Sequence, residues 1–322
     1  MVRKRYGGEE IAAILEEHEQ GLSMQDALQK YGITKATFTR WRKKAWNKKI
    51  ESLLQKNCWN EAIDIAKQLS QKDLVSELQF WYKNGAEIRS SHELSSSKIQ
   101  LSNYGDFVLF VSGDIHYPET LYLDTYADNE AYIEGHYPIY IDGNLTVDGG
   151  IENLCPNTGT WLVVNGGITA HYLFGGGSLI QACSPSEFKY AVIGYYNDGA
   201  IYFNGVRCPL YWSEDHLMEV VGDDYGSYEN LTDFLKANNK THFDLYDDTE
   251  TILELIRPEI RDEIIEDLHE YEAEAIEEEG EAYINRAPIF ENYLLHYLFD
   301  DNGKQQFEYV FSGLFEQYGL LN

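Results

Sequence analysis

Ile139-Tyr140-Ile141-Asp142-Gly143-Asn144-Leu145-Thr146-Val147 decides the fold: a short β-type run, a polar corner holding one glycine, then a second short run. The same arrangement recurs at Phe110-Val111-Ser112-Gly113-Asp114-Ile115, at Leu162 to Ala170 around Asn165-Gly166-Gly167, and at Ile201 to Val206 around Asn204-Gly205. The corner glycines Gly113, Gly143, Gly166 and Gly205 are spaced by 30, 23 and 39 residues, the last interval being close to two periods of about 20. Strand–corner–strand units at that period predict a right-handed parallel β-helix, or β-solenoid, over residues 92–213. Inward positions want β-branched or aliphatic side chains that stack, and the Asp/Asn-Gly corner supplies a residue tolerant of positive φ. Asn-Gly corners also close plain hairpins, so the same residues admit a meandering sandwich.

Working outward from the repeat, residues 48–91 read as a helical linker. Leu53, Leu54, Ala62, Ile63, Ile65, Ala66, Leu69, Leu74, Leu78 and Trp81 form helical apolar stripes, which suit a spacer or a dimerising hairpin. The serine-rich run from Ser90 to Ser97 marks entry into the body. Residues 214–322 read as an acidic helical region packed on that body, with Ile260, Ile264, Leu268 and Tyr271 on one stripe. Twelve acids lie between Glu259 and Glu281 against one base, Arg261. Glu263, Glu266, Asp267, Glu270, Glu274, Glu277 and Glu278 are therefore the candidate partner-binding face, the alternative being a solvated helix surface. The aromatic-rich stretch Ile289 to Leu321 is expected to dock on the body.

The charge is unevenly shared. Residues 1–60 hold 12 Lys and Arg against 7 Asp and Glu, a balance of +5. The whole chain has 25 and 54, which leaves 13 bases and 47 acids beyond residue 60, a balance of −34. A body of that charge repels phosphate backbones and attracts cationic partners.

Residues 1–47 predict three short helices. Ile11, Ile14 and Leu15 share a face of the first, and Ser23 caps the second, which stops at Gly32. Thr34 caps the third, which carries Thr37-Phe38-Thr39-Arg40-Trp41-Arg42-Lys43-Lys44. Two helices joined by a tight glycine turn, the second rich in bases, make a helix-turn-helix. The stretch GLSMQDALQKYGITKATFTRWRKKA, residues 21–45, resembles the N-terminal DNA-binding domain of insertion-sequence transposases. The resemblance implies a recognition helix with Phe38 and Trp41 packed inward and Lys35, Thr37, Thr39 and Arg40 toward the major groove. Arg42, Lys43 and Lys44 would then meet phosphates. An inherited module now serving protein contacts is the competing reading. A catalytic transposase core is not expected, because no alternating strand–helix pattern follows residue 90.

The run from Ile141-Asp142-Gly143-Asn144 through Gly194-Tyr195-Tyr196-Asn197-Asp198-Gly199 to Asp215-His216 resembles bacterial β-helix proteins encoded beside polymorphic toxins. Those proteins are generally thought to act as immunity proteins, so the resemblance implies a stoichiometric, non-enzymatic role.

No catalytic or cofactor constellation emerges. Asp114-Ile115-His116 matches the Asp-x-His that opens a metallophosphoesterase site, but the further Asp, Asn and His ligands of a two-metal centre do not follow. Gly175-Gly176-Gly177 lacks the Lys-Ser/Thr of a P-loop, and Asp300-Asp301-Asn302-Gly303 lacks the other ligands of a calcium loop. Asp215-His216 has no serine or cysteine elbow beside it. Neither a metal nor a cofactor is expected. Cys58, Cys155, Cys183 and Cys208 are dispersed and read as reduced thiols of a cytoplasmic protein, and no signal-type or membrane-length apolar run is present. The expected function is neutralisation of a basic toxin by the acidic body, with double-stranded DNA bound at the N-terminus. The alternative is a DNA-binding regulator whose body senses a protein or ligand; a two-fold DNA site would require a homodimer.

Overall fold

The computed structural model describes residues 6–68, 72–94, 106–123, 137–153, 159–195, 199–208, 210–214, 217–224, 243–244, 253–279, 297–298 and 306–311. Of the residues singled out in the sequence, Leu69, Ser95 to Ser97, Cys155, Tyr196 to Asp198, Asp215-His216, Glu281 and Asp300 to Gly303 lie outside these ranges, as does most of the stretch from Ile289 to Leu321.

The centre of the molecule is a β-solenoid whose strands fall on three faces. The first face stacks β2 (Phe107–Ser112), β5 (Ile139–Asp142), β8 (Leu162–Val164), β10 (Leu179–Ala182), β12 (Ala200–Arg207) and β14 (Leu217–Asp224), all in parallel. The second face begins with β3 (Ile115–Tyr117) and β6 (Leu145–Val147) and continues through the first halves of β9 (Ile168–Gly175) and β11 (Ser186–Tyr195). The third begins with β4 (Leu121–Tyr122) and β7 (Ile151–Asn153), then takes the second halves of β9 and β11. It ends with β13 (Leu210–Glu214) and β15 (Phe243–Asp244). Parallel pairing throughout these faces rules out the meandering antiparallel sandwich, in which successive strands would pair head to tail.

Register explains the apolar pattern. On the first face Leu109, Ile139, Leu162, Ile180 and Ile201 form one inward column, and Val111, Ile141, Val164, Ala182 and Phe203 form the next. Nearly all of these side chains are fully buried, so each residue stacks on its counterpart one coil away. The long Gly166-to-Gly205 interval contains one complete extra strand, β10. Its corner is Cys183-Ser184-Pro185 in place of Asn-Gly, with the Ser184 N–H donating to the Gly166 carbonyl at 3.1 Å.

The corners differ from expectation in one respect. Gly113 and Gly205 do take positive φ, at 98° and 86°. Gly143 and Gly166 do not; they are glycine because of closeness. A Cβ at Gly143 would lie 2.3 Å from the Gly113 carbonyl carbon and oxygen, and one at Gly166 would lie 2.5 Å from the Gly143 oxygen. The flanking polar residues form a ladder up the outside: the Asn144 backbone N–H and side-chain amide donate to Asp114 Oδ1 at 2.8 and 3.0 Å. The Asn165 amide donates to Asp142 Oδ1 at 2.9 Å, and the Gly167 N–H to Asn144 Oδ1 at 3.0 Å. Each Asp or Asn thus satisfies a group on the adjoining coil.

Before the solenoid come five helices: α1 (Gly8–Glu19), α2 (Met24–Tyr31), α3 (Lys35–Leu54), α4 (Trp59–Gln68) and α5 (Lys72–Lys83). Residues 48–91, read from the sequence as a linker, share the solenoid's core. Ile50, Leu54, Trp59, Ala62, Ile63, Ala66, Leu74, Leu78 and Trp81 belong to one apolar cluster with Leu109, Ile115, Leu121 and Ile139. Phe80 meets Tyr117 of β3 edge-on with ring centroids 4.8 Å apart. An open solenoid end would expose both its core and a row of unpaired strand groups, and these helices cover the first of these.

The strand edge is closed by β1 (Glu87–Ser90), the one antiparallel partner among the described strands, which pairs with β2. Asn57 then finishes β1: its side-chain oxygen accepts from the Ile88 N–H at 2.8 Å and its amide donates to the Ile88 carbonyl at 3.2 Å. Asn57 sits at φ 56°, a left-handed position that asparagine tolerates better than most residues. The short α6 (Ser91–Leu94) follows, and Leu94 packs over Val163 on the outside of the first face.

At the other end of the chain are α7 (Pro258–Glu279) and α8 (Phe307–Val310). Phe307 lies on the outer side of the third face, with ring centroids 5.3 Å from Tyr172, 6.1 Å from Phe174 and 5.5 Å from Tyr190, stacked on the last. The N–H of Arg257, just before α7, donates to the Val310 carbonyl at 2.7 Å, which ties α7 to α8.

Candidate nucleic-acid interface and acidic surface

The first three helices form a small core of their own. Ile14, Leu15, Ala27 and Phe38 are buried, with Ile11, Leu22, Met24, Leu28, Tyr31, Ile33 and Trp41 packed around them. Ser23 Oγ accepts from the Asp26 N–H at 3.1 Å at the start of α2. Gly32 ends α2 at φ 63°, and its N–H reaches the Leu28 carbonyl, so the chain turns sharply into α3. Thr34 Oγ1 caps α3 by accepting from the Thr37 N–H at 3.1 Å. These local devices fix α3 against α1 and α2.

Phe38 is fully buried, with His18 edge-on to it at 5.1 Å, and Trp41 is half-buried with Tyr6 edge-on at 5.4 Å. Lys35, Thr39, Arg40 and Lys44 are exposed, whereas Arg42 and Lys43 are half-buried. Thr37 is also half-buried, its hydroxyl 2.9 Å from that of Thr34, so it serves the cap. The helix runs nine residues past Ala45, to Leu54, and brings in two further exposed bases, Lys48 and Lys49, that the sequence pattern placed in the linker. The signal was available: residues 46–54 contain neither glycine nor proline, so nothing stops the helix.

Among the described residues Lys35, Arg40, Lys44, Lys48 and Lys49 have no carboxylate within ion-pair distance. By contrast, Lys30 pairs with Glu17 at 2.6 Å, Lys67 with Asp64 at 3.1 Å and Arg89 with Glu87 at 2.6 Å. Among the described residues these five bases are thus uncompensated. Solvated bases of this kind attract phosphate without first breaking an internal contact.

The acidic surface lies on α7. Ile260, Ile264 and Leu268 are buried, whereas Glu263, Glu266 and Glu270 are exposed and Asp267 is half-buried. Glu274, Glu277 and Glu278 continue the same helix, and their side chains fall outside those the structure describes. Tyr297 Oη donates to Glu263 Oε2 at 3.0 Å, and burial pushes that phenol up to about 12. Arg257 and Arg261 lie 3.8 Å from Glu259 and 3.6 Å from Asp262, so among the described residues the row from Glu263 to Glu270 has no base paired with it.

The Asp114–His116 motif is taken up by the corner. Asp114 accepts from Asn144, and His116 Nε2 lies 2.7 Å from Asp148 Oδ1. Among the described residues no group of three or more His, Cys, Asp or Glu could hold a metal. Burial raises the Cys208 thiol to about 12, far from the thiolate form that nucleophilic chemistry needs. No helix among the described residues is long and apolar enough to cross a membrane.

Fold and surfaces together define a β-solenoid protein with an N-terminal helical unit. Compared with known proteins, the chain matches no family profile, no curated sequence and no solved structure.

Proposed function

We propose that this is a two-part binding protein: α2 and α3 act as a helix-turn-helix on double-stranded DNA, and the acidic body binds and neutralises a basic protein partner in the manner of an immunity protein or antitoxin. The observation that carries the reading is the segregation of charge. Uncompensated bases line α3, while an acidic row lies on α7 of a body whose balance beyond residue 60 is −34. Opposed charges of this kind steer two different partners to two different surfaces. In the DNA-bound state Lys35, Thr39 and Arg40 face the groove, and Arg42, Lys43 and Lys44 meet phosphates. On the acidic side Glu263, Glu266, Asp267, Glu270, Glu274, Glu277 and Glu278 oppose basic side chains of the partner, and the protein acts by occlusion without turning over a substrate.

One observation favours a second role as a regulator. α3 contributes Phe38 to the helical core and Ile50 and Leu54 to the solenoid core, so the DNA-binding unit and the solenoid share one helix. Occupancy of the body then has a rigid route to the DNA-binding unit.

DNA binding is tested by fluorescence anisotropy with a labelled duplex. Arg40→Ala with Lys44→Ala should weaken affinity by about tenfold or more, since each removes a direct contact; unchanged affinity would sink the interface. The acidic surface is tested by capture with full-length protein. A basic protein recovered at equal stoichiometry by the wild type, and lost with Glu266→Lys and Glu270→Lys, supports neutralisation. Equal recovery by both baits removes α7 from the interface.

A further inference from the structure

We infer that the phosphate-binding surface does not stop with the helical unit but runs on along α3 to Lys48, so that a duplex docks across the junction with the solenoid cap. The inference rests on the DNA-binding reading above and extends it. α3 is one unbroken helix of 20 residues, about 30 Å long. Its buried side changes midway: Phe38 and Trp41 pack in the three-helix core, whereas Ile50, Leu53 and Leu54 pack with the solenoid.

A helix turns about 100° per residue, so Arg40, Lys44 and Lys48, spaced by four, drift about 40° per step. The drift follows the change of buried side. The row starts away from Phe38 and ends with Lys48 opposite Ile50 and Leu54, exposed throughout. Lys49 is exposed as well but lies about 180° from Arg40 around the helix, outside the row. None of the three bases of the row is ion-paired among the described residues. The only acid on the helix, Glu51, lies 3.5 Å from the Gln55 amide.

The three-base row spans about 12 Å, comparable with the width of the major groove, along a duplex carrying one charge per about 1.7 Å of axis. With the start of α3 in the groove, Lys48 lies over the flanking backbone. It contributes affinity without sequence preference. Because Ile50, two residues on, is anchored in the solenoid core, this contact also fixes the duplex relative to the body.

The test uses the full chain and a fluorescein-labelled duplex of about 30 base pairs and arbitrary sequence, titrated over a range of salt. Lys48→Ala should weaken binding about two- to threefold near physiological salt. The slope of log K against log salt should fall by about 1, for one phosphate contact. Lys48→Arg should keep both values at those of the wild type, and Lys83→Ala, an exposed base on α5, should change neither. If the wild type binds while Lys48→Ala matches Lys83→Ala, the extension is wrong and the shorter interface stands. If the wild type shows no salt-dependent binding, the DNA reading fails and the extension falls with it.

Discussion

Replacing Phe307 by alanine is expected to destabilise the protein by about 3–5 kcal/mol, the range for deleting a fully buried phenylalanine. Phe307 has no exposed surface and contacts three aromatic rings, Tyr172, Phe174 and Tyr190, on the outer side of the third face. Tyr172 and Phe174 point outward because Leu173 between them points into the core, and Tyr190 lies where the register of β11 against β9 shifts. Without a cover, an outward aromatic patch of this kind would face water. It also seals a polar pair: the Tyr172 hydroxyl donates to Glu152 Oε1 at 2.5 Å, and Glu152 is only 5% exposed. Burial first, and the Glu152 charge next, hold the Tyr172 phenol protonated far above its usual range. Urea unfolding, with limited proteolysis of the C-terminal region, measures the effect. The expected result is a lower transition and earlier cleavage beyond residue 257. A loss below about 1 kcal/mol would mean that the segment is held elsewhere.

Gly143→Ala is the second large effect, expected at about 3 kcal/mol, the upper end for overpacking because the obstructing atoms are backbone. Its added methyl would meet the Gly113 carbonyl carbon and oxygen at 2.3 Å, well inside van der Waals contact. Neither group can rotate away, so the coils must separate and the Asp114–Asn144 hydrogen bonds must lengthen. Gly8→Ala is the matching control. It has no atom within 4 Å of the new Cβ. In a helix it should be neutral or stabilising by up to about 1 kcal/mol. Thermal denaturation of the two variants side by side decides the matter: equal midpoints would show that the coils are not closely stacked at this corner.

Much of the solenoid was legible from its residues. The strand–corner–strand repeat and its aliphatic columns survive in the structure because stacking in register demands the same side-chain class at each coil. The extra coil hidden in the 39-residue interval was legible only as a length, since Cys183-Ser184-Pro185 replaces the Asn-Gly signal there. The small helical core was readable for a similar reason. Ser23, Gly32 and Thr34 are local capping signals, and Phe38 lies on a helical apolar face.

Other features left no local mark. Residues 48–91 read as a linker because amphipathic helices look alike whether their apolar face meets another helix or the end of a solenoid. Asn57 gave no hint that it completes β1, because its partner Ile88 is 31 residues away. Nor did spacing tell which corner glycines serve φ and which serve closeness, as that depends on the coil beneath.

The sequence by itself therefore determined the periodicity, the inward columns, the helix caps and the partition of charge, all properties carried by neighbouring residues or by composition. Only the tertiary structure decided that α3 belongs to two cores, that α4 and α5 close the solenoid, and that Phe307 covers its third face. Those contacts join residues far apart in the chain, and their energy comes from burial against a partner surface that no local pattern specifies.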